Sequence, residues 1–331
     1  MSSNRSDSII QLPNYYEFYI TFKVDLNEIY YVNIHEQPVE HELIDWDVNV
    51  TSDKMKDVLN SPFFKSSTTV KSYNIPTVSN PTTVPLDNTG ERLLPSYLAY
   101  DEKNYICGRV AVNRLRNFSK SVIFDSKRII GRRINEIEID SNWPFNISSK
   151  NDKVVMEIKK LNVTVEISAE EAATDLLKYM KKKAEEFQAK KLVKVVITVP
   201  AAFNEKQKDA TIQAAKSAGW NEIILLPEPI AAAFAYFIDR PISNNSNVLL
   251  FDLGGGTLDV CIFNITDGKI QIISNNGDSK LGGRDFDTVL FNYFKNKLAS
   301  KFGIALIKDK KYKLLFHCQQ IKEDLSTIEN C

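Results

Sequence analysis

The segment Phe251-Asp252-Leu253-Gly254-Gly255-Gly256-Thr257-Leu258-Asp259 holds the residues best suited to chemistry in this chain. An apolar strand delivers a carboxylate, three glycines and a hydroxyl follow, and a second strand begins at once. Glycines let the backbone turn tightly and aim successive N–H groups into one concavity, a shape that suits phosphate oxygens. A carboxylate beside that concavity repels phosphate directly, so its sensible use is to hold Mg2+ through water. Thr257 is placed to donate to a terminal phosphate. Taken alone, a glycine-rich hairpin without a ligand accounts for these residues equally well.

Three further features carry weaker signals. Leu281-Gly282-Gly283-Arg284-Asp285 opens a helix, whose N-terminus attracts anions and whose Gly283 admits a phosphate or ribose to the backbone. Most helix starts with glycines are only helix starts. Glu228 stands at a strand-to-helix junction before Pro229, where its carboxylate either stands free at a strand end or merely complements the helix dipole. Lys127, in Phe124-Asp125-Ser126-Lys127-Arg128, reads by default as a solvated surface lysine, and Arg132 and Arg133 extend a small basic cluster.

The elements that must position these groups follow from patterning. Phe18, Ile20, Phe22, Val24 and Leu26 alternate with polar residues, and Tyr30, Val32 and Ile34 follow, which predicts a β-hairpin in residues 1–60. Residues 61–91 are rich in Ser, Thr, Asn and Pro and read as an insertion or linker. Strands and helices then alternate. Ser168 with Glu171 predicts a capping box for a helix whose apolar stripe is Leu176, Leu177, Met180, Ala184 and Phe187. The run Val195 to Val199 reads as a strand buried on both faces. Asn204 with Gln207 predicts a second cap, for a helix that Gly219 stops. Strands are expected at Ile223–Leu226, Val248–Phe251, Asp259–Ile265 and Ile270–Ser274. A helix from about Asp285 to Lys301 is expected to turn Phe286, Val289, Leu290, Phe294 and Leu298 inward. The alternation argues for an α/β domain around mixed sheets.

Composition excludes several classes. The 331 residues carry 42 Lys and Arg against 42 Asp and Glu, with no basic stripe, so nucleic acid is not an expected partner. No apolar run has membrane-spanning length, so no membrane association is expected. Four scattered cysteines and three histidines offer no zinc-site spacing and point to a reducing, cytoplasmic setting.

The order of the motifs is more specific than any one of them. Lys127, the Val199-Pro200-Ala201-Ala202-Phe203-Asn204 turn, Glu228-Pro229, Asp252 to Asp259 and Gly282-Gly283 together resemble the nucleotide-binding domain of the heat shock protein 70 chaperones. The likeness runs from about Arg92 to the C-terminus, nearly three quarters of the chain. It implies an actin-like ATPase fold of α/β, ribonuclease H-like lobes: residues 92–245 as the first lobe and 246–331 as the start of an incomplete second. It implies ATP/ADP and Mg2+ as ligands, with K+ alongside, co-chaperones as partners, and hydrolysis in which positioning and charge stabilisation do most of the work. By that resemblance Lys127 supports the attacking water and γ-phosphate, while Glu228 and Asp252 organise Mg2+ and water. Gly254, Gly255, Gly256 and Thr257 cradle phosphate, Asp259 closes the loop, Gly283 lies near the sugar and phosphates, and Lys322 and Ser326 grip the adenosine.

The chain also departs from that pattern. The first phosphate hairpin is degraded: Asp25 in Val24-Asp25-Leu26-Asn27-Glu28 is the candidate, with Asn27 and Glu28 where glycine and threonine belong, and Lys65-Ser66-Ser67-Thr68-Thr69 is the rival. Gln319 and Glu323 stand where the family has Glu and Arg, and Arg284 replaces an acid. The chain stops at Cys331, so the last phosphate loop and the peptide-binding domain are expected to be missing. An impaired nucleotide- or co-chaperone-binding regulatory module, or an inactive gene fragment, are the alternatives to a working ATPase.

Overall fold

The computed structural model describes residues 83–86, 91–151, 153–239, 245–278, 280–304 and 310–325, together with the strands at 8–11, 17–24, 30–36, 65–66 and 72–74. Near the N-terminus β1 (Ser8–Gln11), β2 (Glu17–Val24) and β3 (Tyr30–Glu36) form an antiparallel sheet, with Ile20 opposite Ile34 and Val24 opposite Tyr30. Two short strands, β4 (Lys65–Ser66) and β5 (Ser72–Asn74), belong to the edge of a sheet formed much later in the chain.

The first core is built around two small antiparallel sheets. One has β6 (Leu98–Ala99) at its centre, between β7 (Ile106–Cys107) and β8 (Val122–Ile123). Helix α1 (Arg109–Phe118) follows β7, and the one-turn helix α2 (Ser126–Ile129) follows β8. The other is the meander β9 (Asn146–Lys150), β10 (Lys153–Lys160) and β11 (Val163–Ser168). Leu98, Val122, Ile123, Met156 and Ile158 are all buried between them.

Helix α3 (Ala169–Gln188) begins at its capping box. The Glu171 amide donates to the Ser168 hydroxyl at 3.1 Å, and the Ser168 amide donates to the Glu171 carboxylate at 2.8 Å. Its expected stripe holds only in part: Leu176 and Leu177 pack inward, whereas Met180 and Phe187 are exposed. A 20-residue helix is about 30 Å long, and its C-terminal turns run past the core that covers its first half.

A two-stranded parallel sheet comes next, β12 (Lys194–Val199) beside β13 (Glu222–Pro227), connected by helix α4 (Glu205–Ser217). The cap of α4 is reciprocal, with Gln207 and Asn204 exchanging bonds at 3.0 and 3.2 Å, and Gly219, at φ 90°, follows its end. Strand β12 is not buried on both faces. Val195 and Ile197 pack against the cluster of Ala215, Ala218 and Trp220, while Val196 and Ile224 are exposed. A continuous β-branched run is equally consistent with one covered face, and here α4 covers one side only.

Helix α5 (Glu228–Asp239) starts directly at the end of β13. Then β14 (Ser246–Leu253), β15 (Leu258–Thr266) and β16 (Lys269–Asp278) run antiparallel, with β4 and β5 pairing on β16. Asp267 and Gly268, at φ 51° and 68°, turn β15 into β16 in the left-handed geometry that a two-residue hairpin requires. Ile230 from α5 packs on Val248, Leu250, Cys261, Phe263 and Ile270 to form a second core. Helix α6 (Gly283–Phe302) and helix α7 (Lys311–Leu325) complete the described chain. The expected inward face of helix α6 holds in part: Leu290, Phe294 and Leu298 are half-buried, whereas Phe286 and Val289 are exposed and Gly283, Asp287 and Phe291 are buried. The Lys322 ammonium of α7 draws Asp287 inward, at 3.1 and 3.3 Å from its two carboxylate oxygens.

Among the described residues no helix is long and apolar enough to cross a membrane. Cys107, Cys261 and Cys318 are buried free thiols.

Candidate functional site

The hairpin between β14 and β15 closes within the glycine run, so Asp252 and Asp259 become direct cross-strand partners. The turn is tied at its base, where the Gly254 amide donates to the Thr257 carbonyl at 2.9 Å. The amides of Gly255, Gly256 and Thr257 have no acceptor among the described residues, which leaves three adjacent donors for a ligand. The carbonyls of the turn are already used. Gly283 and Arg284, at the start of α6, donate to the carbonyls of Gly254 and Gly255 at 3.0 and 2.9 Å.

The second glycine pair therefore supports the turn. Its first two helical amides are committed to the turn's carbonyls. Gly282 matters by size: a Cβ there would lie 2.5 Å from the Gly256 nitrogen and 2.6 Å from its Cα. Its own φ of −166° is open to any residue, so the requirement is steric. Gly282→Ala is expected to separate the two turns and to lower stability by about 1–3 kcal/mol, as overpacking does. Urea unfolding measures this, and a wild-type midpoint would mean that the turns do not touch.

Four ionisable groups converge beside the turn. Helix α2 carries Lys127, whose ammonium donates to the carboxylate of Glu228, the first residue of α5 and 101 positions away in sequence. Burial pushes the Asp252 carboxyl up to about 6, helped by the negative charges of Asp259 and Glu228 and opposed by Lys127. Burial likewise pushes Asp259 up to about 6, with Glu228 adding to it. Lys127, the Thr257 hydroxyl and the Ala201 amide pull in the other direction by stabilising the carboxylate. The Ala201 contact explains the role of the Val199–Asn204 turn: it brings a backbone donor from just beyond β12 to the start of β15.

Arg128, the neighbour of Lys127, has the sequence context of a charged surface and none of the spacing that marks a site. It nevertheless donates to the Gly256 carbonyl at 2.6 Å and lies 3.4 Å from Asp285. Its adjacency to Lys127 is visible in the sequence, but its partners are not.

Lys127, Glu228, Asp252, Gly254, Gly255, Gly256, Thr257, Asp259 and Gly283 thus come together. Lys322 lies one step back, donating to the Gly283 carbonyl at 3.0 Å as well as to Asp287. The Gln319 amide donates to the Glu323 carboxylate at 2.8 Å, one turn along α7. Asp25 and Ser326 lie outside the described residues.

The charge balance suits a hydrated divalent cation. Three carboxylates, two of them with raised pKa, face one ammonium, so added positive charge would relieve their repulsion. Among the described residues no group of three or more His, Cys, Asp or Glu is arranged to bind a metal directly.

The family model for Hsp70 protein matches residues 74–331. A heat shock 70 kDa protein of Emericella nidulans is 35% identical over 246 residues, covering 73% of this chain and 38% of the relative. A ribosome-associated molecular chaperone of Eremothecium gossypii is 37% identical over 245 residues, 72% of this chain and 40% of the relative. A heat shock cognate HSP70 protein of Trypanosoma brucei brucei is 34% identical over 248 residues, 72% of this chain and 37% of the relative. The chain spans about two fifths of the length of the relatives it matches. The glycine turn, the acids around it and these matches agree: the chain belongs to the Hsp70 family, and its residues 74–331 belong to a nucleotide-binding domain of the actin-like ATPase fold.

Proposed function

We propose that the chain binds ATP as its Mg2+ complex at the turn of residues 254–257 and hydrolyses it in support of protein folding. One observation carries this reading. Three adjacent backbone donors, at Gly255, Gly256 and Thr257, stand beside Asp252 and Asp259, a carboxylate pair held up to about 6, with Lys127 and Glu228 adjoining. The amides take the phosphate oxygens, and the Thr257 hydroxyl, which bonds Asp259 in the free chain, turns to the terminal phosphate. Lys127 and Glu228 orient the attacking water, with Lys127 offsetting the charge that grows on the γ-phosphate. Asp252 and Glu228 would hold Mg2+ through its water shell. The ion would supply positive charge to the phosphate tail. Gly283 and Lys322 back the site toward the nucleoside, with Ser326 assigned to the adenosine by family pattern. On this reading residues 92–245 form the first lobe, residues 246–331 begin the second, and co-chaperones are the protein partners.

Calorimetric titration of the full chain with Mg-ATP, followed by a phosphate-release assay, tests the proposal. Stoichiometric binding with release supports it. Binding without release leaves a regulatory nucleotide-binding module, a reading favoured by the self-paired Gln319 and Glu323. No binding removes it.

A further inference from the structure

Arg284 stands where a cation is least expected. As the second residue of α6 it lies at the positive end of the helix dipole, and something must compensate. Its guanidinium pairs with Asp125, whose side chain is only 3% exposed, and lies 5.7 Å from the centre of the Phe124 ring. The second carboxylate oxygen of Asp125 accepts the indole N–H of Trp143 at 2.9 Å. Asp125 itself adopts φ 62°, a left-handed conformation that aspartate tolerates better than most residues.

A second arginine crosses in the opposite direction. Arg128 comes from the Asp125 side and reaches the Gly256 carbonyl at 2.6 Å and Asp285 at 3.4 Å. Each segment thus gives an arginine to the other's aspartate: Arg284 to Asp125, and Arg128 to Asp285. Both guanidinium groups lie close to Gly256: a Cβ there would stand 3.0 Å from Arg284 Nη2 and 3.4 Å from Arg128 Nη2. The phosphate turn is therefore held at two points, by the Arg128 side chain at the Gly256 carbonyl and by the Arg284 amide at the Gly255 carbonyl, while each guanidinium pairs with the other segment's aspartate.

We propose that Arg284 is a positioning residue, clasping the turn of residues 254–257 to the Asp125–Trp143 platform so that the turn's amides are preset for phosphate. The inference rests on the nucleotide-binding reading for its functional consequence, but not for the clasp itself. A guanidinium serves here because it pairs with Asp125 while lying 5.7 Å from the centre of the Phe124 ring, a combination that suits its planar fork better than a point-charge ammonium.

The test is a double-mutant cycle on the full chain with Arg284→Gln, Asp125→Asn and the pair, plus Arg284→Lys. Hydrogen exchange is followed at the amides of Gly254 and Gly283, which the turn contacts protect, and Mg-ADP affinity is followed by calorimetry. Each single variant is expected to speed exchange and weaken Mg-ADP by at least about 5-fold, the lower end of typical coupling between linked sites. The double variant should be little worse than either single, and Arg284→Lys should recover only part of the loss. Unchanged exchange and affinity in Arg284→Gln, or additive effects, would overturn the clasp. Should the Asp125 variants fail to fold, the contrast between Arg284→Gln and Arg284→Lys decides alone: equal exchange rates in the two reject the clasp. A wild-type chain that binds no Mg-ADP but still shows coupled exchange rejects the nucleotide reading and leaves the clasp standing. Tight binding with no coupling does the reverse.

Discussion

Lys127→Ala is expected to lower single-turnover phosphate release by about 10²–10³, the usual effect of removing one donor aimed at transition-state charge. The same substitution should hardly change the unfolding midpoint. The Lys127 side chain is 51% exposed, and exposed ion pairs contribute at most about 1 kcal/mol. The contrast follows from where its charge acts. Lys127 is the ammonium that lowers both Asp252 and Asp259 against their tendency to hold protons, and it also neutralises Glu228. Without it three carboxylates face a triphosphate with no protein cation from α2 beyond Arg128, which is occupied with Gly256 and Asp285. Mg-ATP affinity should therefore fall too, though less than the rate, because the three turn amides still bind phosphate. A rate loss matched by an equal loss of folding stability would mean that Lys127 is a structural lysine.

The local elements of this fold were legible because their determinants are local. Ser168 with Glu171 and Asn204 with Gln207 each lie within one helical turn, and both capping boxes form as the spacing dictates. The glycine turn was equally readable, since strand, turn and strand are contiguous. What the spacing left open depended on distant partners. Whether Val196 is covered depends on what packs beyond β12, and nothing in residues 194–199 encodes that. Asp287 is buried on α6 because Lys322 of another helix meets it, a partner that its own segment does not announce. Arg284 was visible as a departure from the family's acid, yet its meaning lay in Asp125 and Trp143, far upstream. The family resemblance supplied the order of the site residues and thereby brought Lys127 to Glu228, a contact that periodicity alone does not suggest. It did not reveal the Ala201 amide or Arg128, because neither residue type marks a site by itself.

Asp252→Asn is expected to stabilise the nucleotide-free chain and to weaken its Mg-nucleotide complex, and the two effects share one cause. Asp252 ionises near 6 instead of its ordinary 3.8, because burial and then the charges of Asp259 and Glu228 disfavour its carboxylate. Native Asp252 therefore binds a proton between about pH 4 and pH 6, where the unfolded chain has already released it. Its contribution to stability is full below about 3.8 and is lost as pH rises through about 6. Asp259 behaves in the same direction, and as cross-strand partners the two titrate as a pair in overlapping steps. Each pKa unit corresponds to about 1.4 kcal/mol, so the neutral amide should recover about 1–3 kcal/mol at pH 7.5, after allowance for residual solvent around Asp252. The wild-type chain without ligand should accordingly melt at a higher temperature at pH 5.5 than at pH 7.5, and Asp252→Asn should shrink that difference to the part that Asp259 contributes. Mg-ATP should reverse the order for the wild type, because a divalent ion selects the ionised pair and stabilises it by mass action. The variant should show little such gain. Thermal melts at the two pH values, with and without Mg-ATP, give all of these comparisons. A ligand-free wild-type chain whose melting temperature rises from pH 5.5 to 7.5 would place the stress of the native state elsewhere and remove the electrostatic basis for a cation beside the glycine turn.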